Sequence, residues 1–171
     1  MIRRIRLALL ILVAVVFQTT VFTHLRVWGV APEVGLVAVL AIAYEHGPET
    51  GAVFGFVMGL AVDLFLTTPV GLSALSYALT GYGVGIVQGG MIRSPRRVSP
   101  VIGGLGGFIG GLVFITVGAM IGESGFLSFA SLKTIAIAAA YDAVIAPLVF
   151  PAARWAAHDP HAAHEWSIGR R

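Results

Sequence analysis

The chain has 171 residues, of which 57% are hydrophobic and 11% charged, and its mean hydropathy is +0.91. That composition supplies several membrane spans and leaves little from which to build a soluble domain. Cysteine is absent, which excludes disulfides, thiolate metal sites and cysteine nucleophiles; the net charge of +3 and pI near 9.8 do not point to nucleic acid, because the cations are dispersed over short segments between apolar runs.

Six apolar segments follow in chain order, at residues 7–22, 32–44, 51–66, 70–90, 101–121 and 132–151. The first follows Arg3, Arg4 and Arg6 and resembles a signal peptide, but with five more segments behind it and no convincing Ala-x-Ala site it reads as a signal anchor. The second covers only about 20 Å at 1.5 Å per residue, against a hydrocarbon core of about 30 Å, so it either draws in Trp28–Val30 or is shielded by neighbours. Pro32, Pro48, Pro69 and Pro100 stand where first helical turns would begin, with Thr68 and Ser99 as candidate N-caps. Glu33 and Glu49 sit just inside two of these starts, where a negative charge meets the positive end of a helix dipole.

Threading these segments back and forth sorts the cations. Arg3, Arg4, Arg6, Arg93, Arg96, Arg97, Arg154, Arg170 and Arg171 fall on one side, while Arg26 and Lys133 fall on the other. The expectation is an all-α membrane protein, a compact bundle of about six transmembrane helices with both termini cytoplasmic. Residues 1–155 form one polytopic domain and residues 156–171 a short cytoplasmic tail.

Glycine carries the most specific signal. Its 22 residues include three runs spaced by four: Gly51, Gly55 and Gly59; Gly81, Gly85 and Gly89; and Gly103, Gly107 and Gly111. Such spacing leaves a groove along one helix face, which serves either internal packing or a partner helix. The first run continues the same interval to Asp63, a carboxylate in an apolar span, which either snorkels to the interface or meets Arg26 or Lys133.

Asp142 falls about 15 Å into the last segment, at the depth of Tyr77 and Thr80, and a hydrogen-bonded group joining these three across two helices is expected. His158, His161 and His164 resemble a metal site, but Pro160 interrupts any helix that would align them, and no metal is assigned. No Ser/His/Asp set, HExxH motif, paired catalytic carboxylates or phosphate-binding glycine loop can be assembled, so the chain reads as a non-enzyme without a cofactor.

Gly51, Gly55, Phe56, Gly59, Leu60 and Asp63, then Pro69 and Gly71, then Ala74–Leu79 with Gly81 and Tyr82, together resemble the central block of the rod shape-determining MreD family. Asp142 ahead of Pro147 stands where the family is similar in having an Asn-like polar residue before a proline. The resemblance implies a non-enzymatic scaffold of the bacterial inner membrane, part of the cell-elongation complex. Its implied partners are an MreC-like bitopic protein, peptidoglycan synthases and, indirectly, MreB filaments, besides membrane lipid. The family fold is also similar to the substrate-binding subunits of energy-coupling-factor transporters, and vitamin capture by such a subunit is the alternative function. Against that alternative, Ala8 and Ala14 are at the wrong interval for the coupling motif of the first span.

Overall fold

The computed structural model describes residues 2–21, 29–65, 69–88, 95–122 and 128–157. Six α-helices appear among them: α1 (Ile2–Val16), α2 (Val34–His46), α3 (Pro48–Asp63), α4 (Leu72–Gln88), α5 (Pro95–Met120) and α6 (Phe129–Ala157). A π-helical turn at Phe17–Val21 extends α1.

The bundle is organised around its shortest helix. Along α2 the sequence VGLVAVLAIAY is apolar on every side, so no face is suited to water, and Leu36 to Ala43 are fully buried. Helices α3, α4, α5 and α6 all pack against it. The shortness of this segment is therefore met by shielding; α2 starts at Val34 and does not draw in Gly29 or Val30, while Trp28 lies outside the described residues.

Two longer helices flank this core. Val98–Met120 of α5 and Ala130–Ala157 of α6 are each long and apolar enough to cross a membrane. Helix α6 runs parallel to α2 in a constant register. Glu33 meets Asp142 at the start of α2 and Glu45 meets Arg154 at its end, both pairs 109 residues apart. Large apolar side chains face outward on α1, α3, α4, α5 and α6, including Leu12, Val53, Ile86, Leu105 and Leu148. A surface of this kind suits hydrocarbon and is costly in water.

The turns follow the proline and glycine signals in part: Pro48 stands in a first helical turn as expected, whereas Pro32 and Pro69 lie ahead of α2 and α4, which begin at Val34 and Leu72. Gly47, at φ +86°, is the whole link between α2 and α3; it donates its N–H to the Ala43 carbonyl at 2.9 Å, and Pro48 then occupies the first turn of α3. Helix α5, however, begins at Pro95, so Pro100 lies inside it and Ser99 is a buried helical residue rather than an N-cap. The other candidate cap, Thr68, lies outside the described residues, as do Gly89, Arg26, His158, His161 and His164.

Candidate interaction site

The first glycine run is filled from within the chain. A methyl group on Gly51 would stand 2.8 Å from the Gly81 carbonyl oxygen, one on Gly55 2.5 Å from that of Tyr77, and one on Gly59 would run into that of Ser73. Each step of four along α3 is thus answered by a step of four back along α4, an antiparallel hairpin in strict register. Gly81 lies against Gly51 in return, and Gly85 against Pro48. Two backbones can approach this closely only where at least one of them carries no side chain at the crossing, and dispersion over the shared face then holds them together without hydrophobic drive. Helix α4 is the occupant of the groove, which leaves it no room for a helix from another protein.

Asp63 closes the hairpin. It is 1% exposed, and its carboxylate accepts hydrogen bonds from the backbone N–H groups of Gly71 at 2.7 Å, Ser73 at 3.1 Å and Ala74 at 3.2 Å. These are the orphan donors at the start of α4, so the last residue of one helix caps the first turn of the next. Gly71 reaches the carboxylate with φ +102°, a conformation that a side chain would oppose. The expected snorkelling or pairing with Lys133 is replaced by this cap; Lys133 is exposed on α6. Negative charge at a helix N-terminus is favoured electrostatically, which offsets part of the cost of burial.

A second carboxylate does the same for α2. Asp142 Oδ1 accepts from the Glu33 N–H at 2.8 Å, and Gln18 Oε1 accepts from the Gly35 N–H at 3.1 Å. The expected Asp142–Tyr77–Thr80 group takes a different form. The Tyr77 hydroxyl donates to Glu33 Oε2 at 3.3 Å, and the Thr80 hydroxyl donates to the Ser76 carbonyl of its own helix at 2.7 Å. Glu33 is the residue that sequence reasoning misses here: its place at a helix start is legible, but not that this start packs beside Asp142 and Tyr77. The brevity of the second segment was the available signal.

The third glycine run serves two neighbours. Gly103, Gly107 and Gly111 lie against Asp142, Ala146 and Ile135 of α6, while Gly106 and Gly110 lie against Leu40 and Leu36 of α2. Asp142 Oδ2 rests on Gly107 and has no hydrogen-bond partner among the described residues.

The packing also leaves grooves open between helices. Between α4 and α5 lies an apolar cleft of about 350 Å³, lined by Leu79, Gly83 and Val87 on one wall and Val98, Leu105 and Ile109 on the other. Tyr44 of α2 also lines it. The Tyr44 hydroxyl is buried and lacks a hydrogen-bond partner among the described residues. Gly83 has nothing within 4 Å of where its side chain would be, unlike Gly81 and Gly85 on either side.

A family model described as rod shape-determining protein MreD matches residues 1–153. The chain belongs to the MreD family. No curated protein and no solved structure matches it. MreD proteins form a membrane family concerned with rod shape and are not known as enzymes, which accords with the apolar helices found here. In this MreD chain, the block that carried the resemblance is the α3–α4 hairpin with its Asp63 cap.

Proposed function

We propose that the chain is a non-enzymatic docking subunit of the bacterial cell-elongation complex. It sits in the inner membrane with six crossings and both termini cytoplasmic, in a fold similar to the substrate-binding subunits of energy-coupling-factor transporters. It binds an MreC-like bitopic protein and, through it, supports peptidoglycan synthases and couples indirectly to MreB filaments. The single transmembrane helix of that partner docks in the cleft between α4 and α5.

The observation that carries this reading is the open apolar cleft itself, walled by α4 and α5 with Tyr44 of α2 among its lining. An apolar groove with a small residue at Gly83, which has nothing within 4 Å of where its side chain would be, suits a helix in lipid. The glycine face of α3, which the sequence offered either for internal packing or for a partner helix, is taken by α4. Vitamin capture calls for a pocket with several polar groups. The cleft lining is almost wholly apolar, and a second groove, between α1 and α3, confines its charged groups to one rim.

The test is co-purification of the full chain with an MreC-like protein in detergent. Gly83→Trp and Val101→Trp fill the cleft and are expected to lower recovery of the partner at least tenfold while the bundle keeps its melting temperature. Val144→Trp on exposed α6 should leave recovery unchanged. Wild-type recovery by both cleft variants would remove the cleft as the docking face; no recovery by the wild-type chain would remove the docking function itself.

A further inference from the structure

The groove between α1 and α3 has a volume of about 530 Å³ and a polarity that runs along its length. At one end stand Arg3 and Arg4, from the first turn of α1, with Glu49 and Thr50, from the first turn of α3. From there both helices turn apolar, and Leu7, Ile11, Phe54 and Val57 line the rest. A charged end followed by two turns of hydrocarbon-compatible wall is the shape of a lipid, head and tail.

The depth of the charged end agrees. Arg6, one turn further along α1, lies over the Trp155 ring at 5.0 Å, and Arg154 pairs with Glu45 at 3.4 Å near the same end of the bundle. Aromatic rings and arginines gathered at one level mark the zone of lipid headgroups. The groove's charged residues comprise two guanidinium groups and one carboxylate, a formal excess of one positive charge. Guanidinium forks match phosphate oxygens, and basic pockets between helices at a membrane face recognise anionic headgroups. Glu49 opposes a second negative charge and, with Thr50, offers acceptors to headgroup hydroxyls.

We propose that this groove holds one singly charged anionic glycerophospholipid, its phosphate at Arg3 and Arg4 and an acyl chain along Leu7, Ile11, Phe54 and Val57. Such a lipid would fasten α1 to α3, two helices that share few direct contacts. The proposal rests on the chain lying in a bilayer and not on the identity of any protein partner.

Native mass spectrometry of the full chain in detergent tests it, with phosphatidylglycerol, phosphatidylethanolamine and phosphatidylcholine of identical acyl chains offered in turn. One phosphatidylglycerol per chain should be retained at least fivefold over the other two. The double variant R3Q/R4Q should abolish that preference, while R154Q, at the same end but outside the groove, keeps it. Val53→Trp on the groove wall, an exposed position where a larger side chain does not disturb the core, should lower retention of all three lipids. Equal retention of the three headgroups by the wild-type chain, or equal loss of preference in R154Q and R3Q/R4Q, would overturn the proposal. Should R3Q/R4Q fail to accumulate, the wild-type headgroup comparison and Val53→Trp decide it without that variant.

Discussion

Replacing Asp63 by Ala should be among the most damaging single changes to this bundle. Three backbone N–H groups at the start of α4, those of Gly71, Ser73 and Ala74, lose their acceptor together. Each buried donor left without a partner costs about 1–3 kcal/mol, so the three together set a gross loss of about 3–9 kcal/mol. Removing the carboxylate also removes its own burial penalty, and loss of an ordinary exposed N-cap costs only about 0.5–2 kcal/mol. The net expectation lies between these limits, at about 2–5 kcal/mol, similar to breaking a buried ion pair at one end. Asp63→Asn keeps one carbonyl oxygen in place of two carboxylate oxygens and should cost about half as much, since Oδ1 serves Ser73 while Oδ2 serves Gly71 and Ala74. Unfolding by SDS titration in mixed micelles, followed by circular dichroism, measures the difference. Leu64→Ala, at the exposed neighbour, is the reference. If Asp63→Ala were no less stable than Leu64→Ala, the cap would not be holding the hairpin and the account of the carboxylate would be wrong.

Two further outcomes follow from the packing. Gly55→Ala drives a methyl to within 2.5 Å of the Tyr77 carbonyl oxygen and should cost about 1–3 kcal/mol by overpacking. Gly83→Ala meets nothing within 4 Å and should be neutral or stabilising by up to about 1 kcal/mol through helix propensity. The same micelle titration distinguishes them, and equal effects would deny that the α3–α4 register matters. Asp142→Asn retains an acceptor for the Glu33 N–H and should be tolerated within about 1 kcal/mol, whereas Asp142→Leu leaves that donor bare and should cost about 1–3 kcal/mol or more. Equal stability of the two variants would place the worth of Asp142 elsewhere than in capping α2.

Helical composition, the number of apolar segments and the Gly51–Asp63 periodicity were all legible in the amino-acid order, because each is a local property: hydropathy and a repeat of four need no neighbour to be recognised. What fills the face that the glycines leave is a different matter. A flat face binds whatever backbone comes near, and only the short turn through Pro69 and Gly71, which returns α4 along α3, makes that backbone the chain's own. The carboxylates show the same division. Sequence marks Asp63 and Asp142 as costly in an apolar span, but their partners are backbone N–H groups, which every residue carries and no sequence pattern distinguishes. Glu33 is the clearest case. Its position at a helix start is visible in the sequence; that this start lies inside the bundle, beside Asp142 and Tyr77, follows from packing a 13-residue helix at the centre of longer ones, and only the assembled tertiary structure decides that.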